Sequence, residues 1–320
     1  MAPDFDPSTA RLQIAARTLA LDAGAVSLAA ALERAGIGSI LLKGPSVARF
    51  LYGNGDRSYV DIDLLVSEAD LSSAERVIGS AGFEPSGSEL ALPYGRRPHA
   101  ATWIRTRDGV TVDLHTTLPG VASPAAATWT LLAATTEPMT VGTGAVRVLT
   151  EPARAMHVAL HAAHHGIKDG QAIGDLARAV AQLPEPTWCQ ALELAEKLDA
   201  VAAFGAGLRL TSDGARIADD LDLPLAQSVE AILRADSAPE LALSLDWLIQ
   251  TRGLRARTRL VGRKLVPPAS VLRGRSSLAR RGAPGLGAAY LMQPLLLASR
   301  ALPAVRAWRA ARRRARGSPR

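Results

Sequence analysis

The chain has 320 residues, of which 48% are hydrophobic and only 4% aromatic. This length is sufficient for two domains with sizeable cores, and the composition excludes a globally disordered protein. The single cysteine, Cys189, excludes an intrachain disulfide and any zinc site built from several cysteines. These properties predict a protein of the reducing cytoplasm.

Charge is distributed unevenly along the chain. Residues 252–320 contain 17 Arg and one Lys with no Asp or Glu, which gives +18; the whole chain carries +7, so the first 251 residues carry −11. Such a basic tail is typical of proteins that contact nucleic acid, anionic membrane or an acidic protein. Leu291 to Leu302, followed by arginines, resembles an amphipathic segment for peripheral attachment to a membrane, and a solvated terminus is the alternative.

Neither a secretory signal nor a spanning helix is expected. The first residues, MAPDFDPSTARLQ, lack a basic n-region and an apolar h-region. The closest approach to a spanning segment, residues 285–299, falls short of about 18 apolar residues and contains Pro294.

Predicted helices and strands alternate in the first half of the chain. Helices are predicted over 9–35, 46–51 and 68–80, and strands over 39–43, 59–66, 100–106, 110–115 and 146–149. Arg107-Asp108-Gly109 predicts a hairpin turn.

Beyond residue 152 only helices are predicted, over 154–165, 173–182, 188–198, 226–233 and 241–249. From Arg252 onward, helical pieces alternate with Pro and Gly breaks. The sequence therefore predicts an α+β fold class, with a first domain over 1–150, a helical domain over 151–251 and a basic Arg-rich extension over 252–320.

Two acids, Asp61 and Asp63, lie on one predicted strand. The two-residue period of a strand places both on one face and Val60, Ile62 and Leu64 on the other. Neighbouring carboxylates repel one another and raise each other's pKa unless a cation lies between them. Mg²⁺ prefers carboxylate oxygens, so the pair predicts a metal site.

A third acid, Asp113, follows the same alternation on the strand over 110–115. If the two strands are neighbours, three carboxylates can organise two metal ions for in-line displacement at a triphosphate, with Asp113 as the general base. His115 shares the face of Asp113, where it could contact phosphate, orient a carboxylate or be a satisfied buried histidine.

A phosphate-binding turn is predicted where Lys43-Gly44 leads from a strand into a helix. Glycine allows close backbone approach, and a helix N-terminus favours phosphate. Lys43, Ser46 and Arg57 are candidates for further phosphate contacts. The alternatives are a strand-end cation for Lys43 and a loop pairing with Asp56 for Arg57.

The ordered motifs resemble a known family. They are Leu-Leu-Lys-Gly at 41–44, Leu51-Tyr52, Arg57, Asp-Ile-Asp-Leu-Leu-Val at 61–66, Gly82-Phe83 and Val-Asp-Leu-His at 112–115. Over about residues 10–180 the chain looks like the uncharacterised nucleotidyltransferase family of the polymerase-β-like superfamily.

The resemblance implies a polymerase-β-like domain, a mixed sheet flanked by helices, followed by a mainly helical region. It also implies transfer of an NMP from an NTP with Mg²⁺, or Mn²⁺ as the alternative ion. Asp61 and Asp63 become metal ligands and Asp113 the third acid. His161 and Asp175 would line the nucleotide cleft, with polar packing as the alternative.

Three histidines, His157, His161 and His165, are spaced four residues apart on one predicted helix, which is a pattern that can bind a metal. No acid or cysteine at ligand spacing completes it on that helix, so it is not expected to bind metal.

The acceptor implied is a hydroxyl or phosphate of a small molecule, peptide or protein, in natural-product or polysaccharide biosynthesis. The usual Gly-Ser of the superfamily is here Gly44-Pro45, with Ser46 one place later, and Pro45 has no backbone N–H to donate. A catalytically silent nucleotide-binding adaptor with a basic tail is therefore an alternative. A toxin-type tRNA or protein nucleotidyltransferase is another.

Overall fold

The computed structural model describes residues 7–53, 57–86, 99–225 and 228–317. The strands in these ranges are β1 Ser39–Leu41, β2 Asp61–Val66, β3 Phe83–Pro85, β4 Ala100–Arg105, β5 Thr111–His115, β6 Thr136–Val141 and β7 Gly144–Leu149.

The helices in the same ranges are α1 Pro7–Arg34, α2 Pro45–Tyr52, α3 Leu71–Ser80, α4 Ala125–Ala134, α5 Glu151–His165, α6 Gly170–Gln182, α7 Glu185–Lys197, α8 Val201–Leu208, α9 Ser212–Asp220, α10 Val229–Ala235, α11 Glu240–Gln250, α12 Leu254–Leu265, α13 Ala269–Arg275 and α14 Gly282–Gly317. A short 3-10 helix, Glu68–Asp70, precedes α3.

The seven strands form one mixed sheet in the order β3-β4-β5-β2-β1-β7-β6. The pairs β2–β5 and β1–β7 are parallel, and the other neighbours are antiparallel. A parallel pair needs a long crossover connection, and here residues 67–110 link β2 to β5. The central strands β2 and β5 therefore bring together two segments that are far apart in sequence.

One face of the sheet is covered by α1 and α3. Their apolar residues pack with alternate residues of the central strands in one core cluster, which includes Leu21, Leu28, Leu32, Ile78, Ile62, Leu64, Val112 and Leu114. Because strand residues alternate between faces, Asp61, Asp63 and Asp113 lie on the opposite face of the sheet.

Residues Ile14–Arg34 of α1 are long and apolar enough to cross a membrane by length and composition alone. The sequence analysis expected no such helix, because it looked for an uninterrupted run of apolar residues and this segment contains polar ones. In the structure, Leu21, Ala25, Leu28 and Leu32 of the segment are buried in the core cluster on the sheet. One face of the segment thus packs on the sheet, while Ile14 and Leu19 are exposed.

The described residues form two compact units. The first contains 7–85, 99–157 and 182–198, and the second is formed mainly by 158–181 and 199–317. The elements that the structure describes in the second unit are all helices. It contains two smaller clusters of buried residues, one around Ile232, Ala242 and Ala304 and one around Leu272 and Ala289. The predicted division at residues 150 and 251 stays a prediction.

Most predicted elements are present, and the α+β class is confirmed. The hairpin at Arg107-Asp108-Gly109 joins β4 to β5, with the Arg105 N–H donating to the Val110 carbonyl over 2.8 Å. The strand predicted over 59–66 begins later, because β2 starts at Asp61. Val60, which was expected on the apolar face of this strand, is 59% exposed.

Other elements were not predicted from the sequence. They are β3, β6, α4, α8 and α9. The structure has fewer helix breaks after Arg252 than the sequence predicted. Helix α14 continues for 36 residues through Pro294 and Pro303.

Candidate active site

The parallel pairing of β2 and β5 places the predicted acids side by side. In this register Asp63 lies opposite Asp113, and Asp61 lies opposite Thr111. Asp63 is fully buried, whereas Asp61 and Asp113 are partly buried. The strands therefore bring the three carboxylates to one end of the sheet face opposite α1.

Lys43 lies directly beside the buried acid. The Leu42 N–H donates to the backbone carbonyl of Asp63 over 3.0 Å, which continues the β1–β2 pairing by one residue. The Lys43 ammonium is then 2.8 Å from Oδ1 of Asp63. In this structure Lys43 thus neutralises the buried carboxylate.

His115 makes the second contact to the same oxygen. Its Nε2 lies 3.0 Å from Oδ1 of Asp63. Asp63, Asp113 and His115 each offer a ligand atom within 4.8 Å of the others, and Asp61 is outside this tight group. Sequence reasoning placed His115 on this face and gave orientation of a carboxylate as one of its three roles, and the contact with Asp63 fits that role.

Two carboxylate oxygens in this group are buried without a hydrogen-bond partner among the described residues. They are Oδ2 of Asp63 and Oδ1 of Asp113. A buried anionic oxygen without a partner is costly, whereas it is a favourable ligand for a hard divalent cation. The donor set therefore fits Mg²⁺ or Mn²⁺, with Asp61 close enough to add charge.

The two acids of β2 have opposite pKa shifts. Burial raises the pKa of Asp61, and the negative charge of Asp63 raises it further. Burial would also raise the pKa of Asp63, but the charge of Lys43 and the hydrogen bond from His115 hold this pKa well below its ordinary range. Burial alone would lower the pKa of Lys43, but Asp63 raises it above its ordinary value. Asp63 and Lys43 are therefore fully ionised at neutral pH.

Gly44 forms the turn between β1 and α2 and is the N-cap of that helix. Its φ of 65° and ψ of −122° are conformations that only glycine adopts readily. Pro45 is the first helical residue, where the missing N–H costs no helix hydrogen bond. The first helix bond is Ala48 N–H to the Gly44 carbonyl, so the N–H groups of Ser46 and Val47 precede it.

The side chain of Ser46 is fully buried at this helix N-terminus. Its hydroxyl has no hydrogen-bond partner within the part of the chain that the structure describes. The turn thus combines free N-terminal amides, a hydroxyl and the neighbouring Lys43, which together can bind an anionic group.

The Tyr59 ring packs against the turn at Gly44. A Cβ at Gly44 would lie 3.4 Å from the Tyr59 ring. The Tyr59 hydroxyl hydrogen-bonds Asp22 of α1, and burial together with this bond raises the pKa of Tyr59. Sequence reasoning missed both residues because their contact joins positions 37 residues apart. Arg57 is buried, and Asp56 lies outside the described residues.

His157 of α5 is buried near Lys43, Asp63 and His115. Burial lowers its pKa to about 3, and the charge of Lys43 contributes to the shift. This histidine is therefore neutral at physiological pH. The sequence did not predict that it would lie near the site.

The two remaining predicted residues, His161 and Asp175, belong to the second unit. Asp175 is buried, and the His161 ring contacts the His165 ring with centroids 4.3 Å apart. The His165 ring in turn lies 3.0 Å from Asp169. The expected lack of a metal site at His157, His161 and His165 stays a prediction, and so do the nucleotide-binding roles of His161 and Asp175.

Comparison with protein families gives one match. Residues 8–213 match the model of a family described as uncharacterised nucleotidyltransferase. The match covers more than half of the chain, and with the mixed sheet it confirms the predicted fold class and the enzyme class. A search of curated proteins found no match.

The solved structures that are similar to this chain include two nucleotidyltransferase-related proteins. The antibiotic-resistance factor ANT(2'')-Ia is 16% identical with a TM-score of 0.38, over 56% of this chain and 96% of that one. An antigenic nucleotidyltransferase-like protein from Paracoccidioides brasiliensis is 14% identical with a TM-score of 0.37, over 62% of this chain and 92% of that one.

Proposed function

The chain belongs to the uncharacterised nucleotidyltransferase family, and from this premise we propose that it transfers an NMP from an NTP to a hydroxyl or phosphate acceptor with Mg²⁺. The observation that carries the proposal is the side-by-side placement of Asp63 and Asp113, each with a buried carboxylate oxygen that no described residue hydrogen-bonds. A cation-binding pair of this kind on adjacent strands suits phosphoryl chemistry better than a structural role.

Asp61, Asp63 and Asp113 are the proposed metal ligands, and His115 holds the Asp63 carboxylate in place. When bound, Mg²⁺ supplies positive charge that offsets the charge of the triphosphate and of the leaving pyrophosphate. Mn²⁺ has the same preference for carboxylate oxygens and is the alternative ion.

The turn at Gly44 is the proposed phosphate-binding element. The N–H groups of Ser46 and Val47 and the Ser46 hydroxyl are donors for phosphate oxygens. Lys43 adds positive charge beside the turn, and we propose Arg57 as a second cation for the phosphates. The position of Pro45 as the first helical residue leaves these donors in place, which supports phosphate binding at this turn.

Asp113 is the proposed general base. In the transfer step it accepts the proton of the acceptor hydroxyl as the acceptor oxygen bonds to the α-phosphorus, while the bond to pyrophosphate breaks. When the acceptor is itself a phosphate, its oxygen is already anionic and no proton transfer is needed. His161 and Asp175 are proposed to contact the nucleotide, as the family resemblance implies.

The proposed acceptor is a small molecule, a peptide or a protein, in natural-product or polysaccharide biosynthesis. This part rests on the family resemblance alone. Incubation with labelled NTP and extracts separated by size would distinguish a small labelled product from a labelled macromolecule.

The first test is calorimetric binding of non-hydrolysable ATP, GTP, CTP and UTP analogues, with Mg²⁺ and with EDTA. The intact chain is expected to bind at least one analogue only with metal. The double variant Asp61→Asn/Asp63→Asn is expected to lose this binding while it keeps its circular dichroism spectrum.

A matched control is Glu33→Gln/Glu84→Gln, which removes two exposed acids of the same unit. This control should bind as the intact chain does. Metal-independent binding, or equal binding by both double variants, would contradict the proposed site.

A further inference from the structure

The long helix α14 is packed against the rest of the second unit near its two ends. Near its start, Ala289 joins a cluster with Leu272 and Ala279. Near its end, Ala304 and Ala311 join the cluster of α10 and α11. Most residues between these contacts, from 291 to 303, are exposed.

This exposed middle carries an apolar stripe, defined here as Leu291, Leu295, Ala298 and Leu302. The steps of four, three and four residues place these side chains on one side of a helix. The three leucines are 80%, 72% and 58% exposed. Large apolar residues that are exposed together on one helix face indicate an interaction surface.

The same helix side continues as a basic surface. Arg309, Arg313 and Arg316 follow Leu302 at steps of seven, four and three residues, and all three are exposed. The sequence from 252 to 320 contains no acid that could neutralise them. One side of α14 therefore changes from apolar to cationic along its length.

A second exposed apolar row lies on the neighbouring helix α12. Leu254, Val261 and Leu265 repeat at helical spacing and are 77%, 42% and 40% exposed. They line an open groove of about 680 Å³ together with Leu248 and Ile249 of α11. The C-terminal helices thus expose more apolar surface than a single stripe.

Two hydrogen bonds connect the end of α12 to α14 at the start of the stripe. The Tyr290 hydroxyl donates to the Pro267 carbonyl over 2.8 Å, and the Gln293 amide donates to the Lys264 carbonyl over 3.1 Å. Val266, which is 67% exposed, precedes Pro267. The bonds therefore fix the segment after α12 to the part of α14 where the stripe begins.

We propose that α14 attaches this protein to an anionic membrane surface, with the apolar stripe entering the headgroup boundary and the arginines contacting lipid phosphates. A helix in the plane of a membrane needs apolar surface for the acyl boundary and positive charge for anionic headgroups. Both are present on one side of α14, and the charge is complementary to the lipid. The proposal is independent of the catalytic site.

A nucleic acid fits this surface less well. It would match the arginines but not the leucines, and binding of single strands depends on aromatic side chains on which bases stack. The two aromatic residues after Arg252 already have partners. Tyr290 bonds to Pro267, and the Trp308 indole donates to Asp246 over 3.1 Å with Arg312 stacked on its ring.

The test is flotation of the full chain with vesicles of phosphatidylcholine alone or mixed with phosphatidylserine. The intact chain is expected to float with the mixed vesicles only. The variant Leu291→Gln/Leu295→Gln/Leu302→Gln should bind at least about tenfold more weakly, because three apolar side chains no longer enter the boundary. These leucines are exposed, so the variant should keep its melting temperature.

The matched control replaces three exposed apolar residues of α1, in the variant Leu12→Gln/Ile14→Gln/Leu19→Gln. They are 71%, 53% and 69% exposed. Binding by this control should equal that of the intact chain. If the α1 variant loses binding and the α14 variant does not, α1 is the attachment site and the proposal is wrong.

The charge is tested separately with Arg309→Gln/Arg313→Gln/Arg316→Gln. Each arginine is expected to contribute about fivefold to binding of mixed vesicles at low salt, and less as salt is added. Equal binding of neutral and mixed vesicles would overturn the proposal. So would the absence of vesicle binding together with either RNA binding or self-association that the leucine variant abolishes.

Discussion

The Lys43 ammonium lies 2.8 Å from Oδ1 of Asp63, a carboxylate that is fully buried on the central strand β2. This contact places a positive charge of the protein itself beside the buried carboxylate. The same carboxylate is a proposed Mg²⁺ ligand. Lys43 and Mg²⁺ would therefore both offset the charge of Asp63, and the loss of one should increase the stabilising effect of the other.

Replacing Lys43 tests this link. In Lys43→Met the buried carboxylate of Asp63 keeps only its His115 contact, so metal-free stability should fall by about 3 kcal/mol. Mg²⁺ restores a positive charge beside Asp63, and it should stabilise the variant more than the intact chain. Urea denaturation with Mg²⁺ and with EDTA measures both effects.

Lys197→Met is the matched control, because Lys197 is exposed in the same unit. A change within about 0.5 kcal/mol is expected for it. If Mg²⁺ stabilises Lys43→Met no more than the intact chain, the metal does not bind at Asp63.

Asp61→Asn should have opposite effects on stability and activity. Burial and the charge of Asp63 raise the pKa of Asp61 above its ordinary 3.8, so the ionised form destabilises the folded state. The cost is absent below that ordinary value and grows as pH rises through the raised pKa. At pH 7 without metal, the variant should therefore be more stable than the intact chain.

With Mg²⁺ the same variant should lose a ligand, and nucleotidyl transfer should fall at least about 100-fold. Thermal melts at pH 4 and pH 7 together with a turnover assay measure these effects. Lower stability of Asp61→Asn than of the intact chain at pH 7 without metal would contradict the predicted repulsion.

His157 should make the fold sensitive to acid. Its pKa is lowered from 6.5 to about 3 by burial and by Lys43, so the unfolded chain binds a proton that the folded chain does not. Stability should fall as pH drops from 6.5 towards 3, by at most about 1.4 kcal/mol per pH unit from this group. His157→Gln should remove that part of the slope in denaturation between pH 7 and pH 5.

His165→Gln on the same helix serves as the comparison, because the His165 side chain is 40% exposed. The slope should remain in this variant. An equal loss of slope in both variants would show that the buried position of His157 is not its cause.

Gly44→Ala should weaken nucleotide binding more than it weakens the fold. Gly53, at the other end of α2, has almost the same backbone angles, with φ 61° and ψ −119°. Alanine at either position should cost about 1–3 kcal/mol in backbone strain. Only at Gly44 would the new methyl group meet the Tyr59 ring, at 3.4 Å, beside the proposed phosphate donors.

Calorimetry of nucleotide binding and urea denaturation of both variants separate these effects. Affinity should drop on the order of tenfold in Gly44→Ala and stay unchanged in Gly53→Ala. Equal affinities in the two folded variants would place phosphate elsewhere.

Local patterns in the sequence were sufficient to predict the elements that carry the three acids of the site. The alternation of Asp61 and Asp63 with apolar residues predicted a strand with both acids on one face, and the structure has that strand. The Asp108-Gly109 turn predicted the hairpin that leads to Asp113. Such signals are readable because strand period and turn chemistry depend on a few neighbouring residues.

Short edge strands were not readable in this way. β3 and β6 contain Pro85 and Pro138, and proline within a run argues against a strand unless it lies at an edge. The start of β2 was misplaced because Val60 is apolar and continues the alternation of the strand, yet it pairs with no strand in the described sheet.

The sequence by itself determined the fold class, the family and the set of acids, because these depend on residue type and spacing. The tertiary structure decided that Asp63 lies opposite Asp113, that Lys43 and His115 bond the same oxygen, and that His157 lies near them. These relationships join positions up to 114 residues apart. Long-range strand pairing sets them through register and burial, which no local pattern specifies.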